Sequence, residues 1–173
     1  VSEPVAPFFI CVSTPDPDTL ELDYTVEIYP KNTVVTEQVE IEKDVSEIDC
    51  DHGTFDVGET HTWIIQSSIP YGMADAQKYE ISDTLDYRLS YKGNIVVTVA
   101  KTDDRAHVES VVLVEGTDYT VETGTDEVGS NIVDTFKVSL SAQGMKKAAD
   151  TAVSDTASVY EVRVYFDAVI NTK

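Results

Sequence analysis

Apolar and polar residues alternate with a period of two along most of this chain, and helical periodicity is rare. In the stretch from Leu22 to Ile28 the apolar residues fall on every second position, and Val39, Ile41 and Val45 keep the same spacing. Further runs rich in Val, Ile, Thr and Tyr follow at 60–69, 78–83, 87–100, 108–114, 118–122, 131–140 and 158–170. Turn clusters separate them: Asp51-His-Gly-Thr, Asp56-Val-Gly, Pro70-Tyr-Gly, Lys92-Gly-Asn, Glu115-Gly-Thr-Asp and Glu127-Val-Gly-Ser. Many short strands joined by turns predict an all-β sandwich. One segment departs from this pattern. Residues 141–150 read as a short helix before the last strand, with Ser141 as its N-cap.

The strand registers also expose candidate chemistry. Along Val39–Val45 the inward face runs through Val39, Ile41 and Val45, and the same period points Lys43 into the core. In Tyr79–Leu85 the apolar register of Tyr79, Ile81 and Leu85 includes Asp83. A charge facing a core must pair, reach solvent or neutralise itself, so the plain reading is a salt bridge or a bulge that lets each residue escape. The last strand has an inward register of Val162, Val164, Phe166, Ala168 and Ile170, and Asn171 ends it on the opposite parity. If the first and last strands of the domain are neighbours, a desolvated Lys43 amine could attack the Asn171 carboxamide and release ammonia. Asp83, its pKa raised by the same apolar setting, would polarise the amide and shuttle protons. A strand end or bulge is needed to turn Asn171 inward.

Composition narrows the setting. Thirty-two acidic residues against twelve basic ones give a net charge of −20 and a pI of about 4.2, which repels phosphate backbones and disfavours nucleic acid as a partner. No apolar run approaches the roughly 20 residues of a membrane-spanning helix. The chain opens on Val1 and reads as a trimmed piece of a longer protein. Four of the six prolines fall in residues 1–28, which form at most two strands and look like the tail of a preceding domain. The expected division is therefore a remnant over 1–30 and a sandwich over 31–173. Cys11 and Cys50 leave open either one disulfide or two buried thiols. His52, His61 and His107 read as solvated residues. The acidic stretch Asp49–Asp56 matches no EF-hand loop and reads as a solvated turn, so neither metal nor cofactor is expected. No Gly-x-Ser-x-Gly elbow, metal cluster or phosphate loop is present, and a turnover enzyme is not expected.

These residues resemble a family, the sortase-assembled backbone pilins of Gram-positive bacteria. The stretch Leu22-x-x-x-Val26-x-Ile28-Tyr29-Pro30-Lys31-Asn32 is similar to the pilin motif, with Leu22 where Trp is usual and Ile28 for Val. Downstream, residues 57–65, Tyr79–Leu85 and Val164–Asn171 are similar to the middle domain that forms an internal isopeptide bond. The resemblance implies an Ig-like fold of the CnaA, or inverse-IgG, type and an extracellular pilus anchored to the cell wall. It implies that Lys31, beside Tyr29 and Pro30, joins subunits through a class C sortase, and that Lys43, Asp83 and Asn171 form the internal cross-link. A competing assignment makes Lys31 the cross-linked lysine and leaves Lys43 merely paired; Lys31 lies outside the strand register, which disfavours it. The implied partners are other pilin subunits and host-surface ligands. An adhesin sandwich whose function is a ligand-binding face is the alternative.

Overall fold

The strand β8 (Tyr160–Ile170) carries the most regular apolar face of the chain. Val162, Val164, Phe166 and Ala168 alternate along it and all are fully buried, as period two demands where one face of a strand meets a core. The structure is a computed structural model and describes residues 39–46, 49–50, 53–105 and 110–172, all within a unit running from Gln38 to Lys173. The expected remnant over 1–30 and the whole pilin-like motif lie outside the described residues.

β8 is flanked on both sides. β2 (Thr60–Ser68) pairs with it on one edge and β4 (Leu89–Lys101) on the other, with β1 (Ile41–Val45) outside β2 and β5 (Val111–Val112) outside β4. The second sheet is β3 (Glu80–Thr84), β7 (Asn131–Leu140) and β6 (Tyr119–Val128), in that spatial order. Every pairing between these strands is antiparallel. Ile65, Val97 and Val99 of the first sheet meet Ile81, Phe136, Val138 and Leu140 of the second, and this interdigitation is the core. The all-β sandwich read from the alternation is the observed fold.

The helix α1 (Ala142–Ser154) lies where the sequence predicts it, between β7 and β8. Ser141 caps it: its hydroxyl accepts the Gly144 N–H at 3.0 Å and donates to the Thr117 carbonyl at 2.7 Å. The helix packs against a short 3-10 turn at Met73–Asp75 that the alternation gave no sign of. Lys147 reaches down from it to the buried Asp118, at 2.9 Å. That ammonium, together with the Val114 N–H, holds the Asp118 carboxyl below the usual carboxylate range.

Several expectations are corrected. Val39 and Ile41 are exposed, by 45% and 62%, although Val45 on the same face is buried. β1 is an edge strand, paired on one side alone, and its first residues stay open although the row they extend, through Ser67, Val162 and Val99, is buried. β6 extends to Val128, well past the predicted end at residue 122, because β7 supplies a continuous ladder up to the Gly129-Ser130 turn. The opposite happens in the run expected at 108–114, where among the described residues 110–114 only Val111–Val112 forms a strand. His61 is not a solvated loop residue: it lies in β2 with its ring stacked on Phe55, centroids 3.7 Å apart, and its Nε2 3.2 Å from a Glu59 carboxylate oxygen. The Glu59 carboxyl is lowered chiefly by the Asp56 N–H and then by His61. His52 and His107 lie outside the described residues, as does Cys11. Cys50 is half-buried and its carbonyl accepts the Val45 N–H, but its pairing with Cys11 falls outside what is described.

The α1 anchorage yields a prediction. A methyl on Gly144 would come within 2.0 Å of the Asp118 carbonyl oxygen, which is backbone and cannot swing away. Gly144→Ala should therefore destabilise by about 1–3 kcal/mol despite alanine's better helix propensity. Asp118 adds a pH arm: its folded pKa is depressed, so its stabilisation is present above the unfolded value of about 3.9 and fades as pH falls through the folded one. Thermal melts of the wild type and Asp118→Asn should differ at pH 7 and converge as pH falls through the depressed folded pKa.

Candidate functional site

Lys43 is the third residue of β1 and lies opposite Ile65 on β2, which in turn lies opposite Val164 on β8. Its side chain therefore leaves the inner face of the first sheet, as the alternation predicts. Asp83 sits on β3 of the second sheet, opposite Phe136 on β7, and Tyr79, Ile81 and Leu85 around it are buried. The two meet across the sandwich: Lys43 Nζ is 2.5 Å from Asp83 Oδ2. The pair is partly buried, with the lysine side chain 33% exposed and the aspartate 16%.

Aromatic rings form the wall behind it. The Lys43 ammonium stands 5.2 Å from the Trp63 ring centroid and 5.6 Å from that of Phe166, a cation–π arrangement with two rings. Phe166 packs in turn against Phe136 with its ring tilted by 55° and centroids 4.6 Å apart, and Tyr91 stacks on Phe136 at 5.4 Å. On the open side is a cleft of about 410 Å³ lined by Lys43, Leu85, Tyr87 and Val133 among others. The pair is thus an amine and a carboxyl in direct contact, backed by aromatic rings and reached from one cleft.

Asn171 is not brought to this pair. Its backbone N–H donates to the Arg88 carbonyl at 2.8 Å, and its side-chain amide donates to Ser90 Oγ at 2.9 Å. The expectation that the first and last strands are neighbours is corrected, because β2 lies between β1 and β8. Asn171 also stands five positions beyond Phe166, roughly 16 Å along the strand at about 3.3 Å per residue. Lys31, Tyr29 and Pro30 lie outside the described residues. Among the described residues, no group of three or more His, Cys, Asp or Glu side chains comes together as a metal site.

Besides Asp118, two further buried charges among the described residues escaped the sequence reading. Asp44 is fully buried on the outer face of β1, where its carboxylate accepts the Asp49 N–H and the Gln66 side-chain amide, each at 2.8 Å. Arg163, fully buried on the outer face of β8, donates to Glu161 at 2.6 Å and to the carbonyls of Asp104 and Lys101 at 2.6 and 2.7 Å. Alternation assigns both residues to the outside, and only the fold shows Asp49 and Gln66 closing on the one and the 101–105 turn on the other.

This two-sheet sandwich with one helix before its last strand is similar in fold to solved pilin structures. Among solved structures it is similar to the fimbrial protein FimP of Actinomyces oris (24% identity, TM-score 0.54, covering 96% of this chain and 34% of that one). It is also similar to a 35 kDa C-terminal fragment of the major pilin of Streptococcus agalactiae (20% identity, TM-score 0.57, 78% and 44%) and to BcpA, the major pilin subunit of Bacillus cereus (16% identity, TM-score 0.53, 93% and 37%). These likenesses show the fold. In sequence the chain is a relative of the fimbrial subunit type 1 of Actinomyces viscosus, 29% identical over 97% of this chain. It spans 30% of that protein's length. No family model matches the chain.

The charge pair itself can be tested apart from any role. Asp83→Ala leaves the Lys43 ammonium against two rings without its carboxylate, whereas Lys43→Met/Asp83→Ala fills the site with apolar atoms. The double variant should be the more stable of the two by about 1–3 kcal/mol in denaturant unfolding, because an unpaired charge costs more than no charge.

Proposed function

We propose that the chain is part of a structural shaft subunit of a covalently polymerised surface pilus. Its kinship with a fimbrial subunit and the pilin-domain fold support this reading, and the Lys43–Asp83 pair between the sheets is the observation that carries it. Lys31 is the inter-subunit linkage lysine in this reading. A sortase carries the C-terminal threonine of another subunit as a thioester, and the Lys31 amine displaces the enzyme's cysteine to form an amide. The subunit turns over no substrate of its own.

The internal cross-link follows from the chemistry of the pair. Lys43 passes a proton to Asp83, giving a free amine and a neutral acid. The amine attacks the Asn171 Cγ while the acid donates to the amide oxygen. The Cγ–N bond to the leaving nitrogen breaks, ammonia departs, and the new Lys43 Nζ–Cγ bond remains. For this the end of β8 must leave Arg88 and Ser90 and turn back toward Phe166. Asp83 acts once, on its own chain.

The fold gives such a bond a mechanical role. β1 and β8 both run antiparallel to β2, so they are parallel, and the described chain enters at one end of the sandwich and leaves at the other. Tension along the chain therefore shears the β1–β2 and β2–β8 ladders lengthwise. A covalent tie between β1 and the end of β8 takes that load out of the hydrogen bonds. It also closes a loop of more than a hundred residues, worth about 4–5 kcal/mol on the chain-entropy estimate.

Intact-mass spectrometry of the chain should read one ammonia less than the sequence mass, and Lys43→Ala, Asp83→Ala and Asn171→Ala should each restore the full mass. A full mass in the wild type removes the cross-link, and a linked peptide containing Lys43 without Asn171 reassigns its acceptor. For Lys31, polymerisation by a class C sortase should stop in Lys31→Ala; continued polymer growth moves the linkage elsewhere.

A further inference from the structure

β6 is an edge strand of the three-stranded sheet, and its far side carries no strand among the described residues. In an antiparallel ladder the backbone groups of successive residues point alternately toward the partner and away from it. Three hydrogen bonds set the phase here. The Tyr119 carbonyl accepts the Gly116 N–H, the Glu127 N–H donates to Asp126 Oδ1, and Leu140, the β7 partner of Tyr119, sends its N–H to Tyr79 instead. Tyr119 and Glu127 therefore face away from β7, and the residues between them in the same phase are Val121, Thr123 and Thr125. No hydrogen bond from the described residues reaches the outward groups of these three.

Edge strands ordinarily carry something that blocks a further strand: a lysine, a proline, a bulge, or very short length. β1 has Lys43 and spans five residues. From Val121 to Thr125, β6 has no lysine, proline or bulge and one charge, Glu122, which is paired with Lys137; its register with β7 is unbroken, and Thr123, Gly124 and Thr125 are exposed. The run is bounded at one end by the Gly116 bond to Tyr119 and at the other by the Asp126 side chain on the Glu127 N–H. Thr123 is its midpoint.

That midpoint makes the edge complementary to itself. Turned antiparallel about Thr123, a second β6 sets Thr123 opposite Thr123 and Val121 opposite Thr125, which are β-branched cross-strand pairs. Glu122 falls opposite Gly124, so no two carboxylates stand directly opposed. The Glu122 charge is also already matched, by Lys137 Nζ at 2.7 Å. Moving the centre to Tyr119's side or to Glu127's side would use backbone groups that are already bonded.

We propose that β6 is a homotypic docking edge, through which a second copy of this chain pairs antiparallel about Thr123 and the two three-stranded sheets join into one. The net charge of −20 on each copy opposes the approach, so association strengthens as salt screens it. The contact is isologous and closes on two copies. It does not depend on the pilus reading.

Sedimentation of the 173-residue chain over a concentration series tests this, at about 0.01 M and about 1 M salt, where the Debye length is about 30 Å and about 3 Å. The expected result is a monomer–dimer equilibrium that shifts to dimer at high salt, with the Thr123 and Thr125 amides becoming protected from hydrogen exchange. Thr123→Pro deletes only an N–H that points to solvent, so the dimer should vanish while the melting temperature of the monomer holds. If circular dichroism shows that variant unfolded, Thr123→Lys sets two lysines against each other at the two-fold and should abolish the dimer with the fold kept. Monomer at every salt and concentration overturns the proposal. So does a dimer that survives the folded Thr123 variant, or a β6 edge that takes up only basic peptides and only at low salt.

Discussion

The architecture depends on β8 being wrapped on every side. Its two backbone edges are taken by β2 and β4, its inner side chains form the centre of the core, and its outer face carries Arg163. A buried guanidinium is tolerated only where its donors find acceptors, and here they find the Glu161 carboxylate and the carbonyls of Lys101 and Asp104. Those carbonyls belong to the turn after β4, so the need to satisfy one arginine fixes that turn over the sheet. The apolar side of β8 and its polar side thus order different parts of the molecule.

The same wrapping sets the mechanics. With β2 between them, β1 and β8 are parallel; β1 is held by one ladder, to β2, and β8 by two, to β2 and β4. The bulge in β4 is the one irregularity along β8's length. There Gly93 and Asn94 take positive φ, and the Asn94 side chain donates to Asp167 at 2.7 Å; Thr62 donates to the other Asp167 oxygen, also at 2.7 Å. Asp167 thereby ties β2, β8 and β4 together near the end from which the chain leaves. Side chains reinforce the sheet where its backbone ladder is weakest.

Much of this was legible in the sequence, and the limits follow from what alternation encodes. Period two reports which face a side chain leaves, so the β8 core row, Asp83 within its apolar register and the inward Lys43 could all be read directly, as could Ser141 as a cap. It does not report what covers the outer face. Asp44 is closed over by Asp49 and by Gln66 of β2, and Arg163 by a turn about sixty residues away, and the sequence of β1 or β8 holds no trace of that. Nor does it report strand order. The reading that placed Lys43 beside Asn171 needed β1 next to β8, a fact of topology, and β2 intervenes. The length of β6 escaped for a related reason: Thr-Gly-Thr-Asp-Glu has no apolar face of its own, and its conformation is imposed by β7.

The Lys43–Asp83 pair interrupts two apolar registers, and stability alone does not account for it. A partly exposed ion pair contributes about 0–1 kcal/mol, whereas a leucine buried at either position would contribute about 1.5–3 kcal/mol. Two rings behind the ammonium recover part of that difference, since a cation–π contact adds about 0.5–1 kcal/mol at sites as open as this one. The remainder favours an apolar pair, and the cross-link proposed above would account for it. Amide formation removes the ammonium and leaves the acid neutral, and the site would then hold no charge against the rings. The arrangement that is costly for a folded salt bridge is the ground state that such a reaction requires.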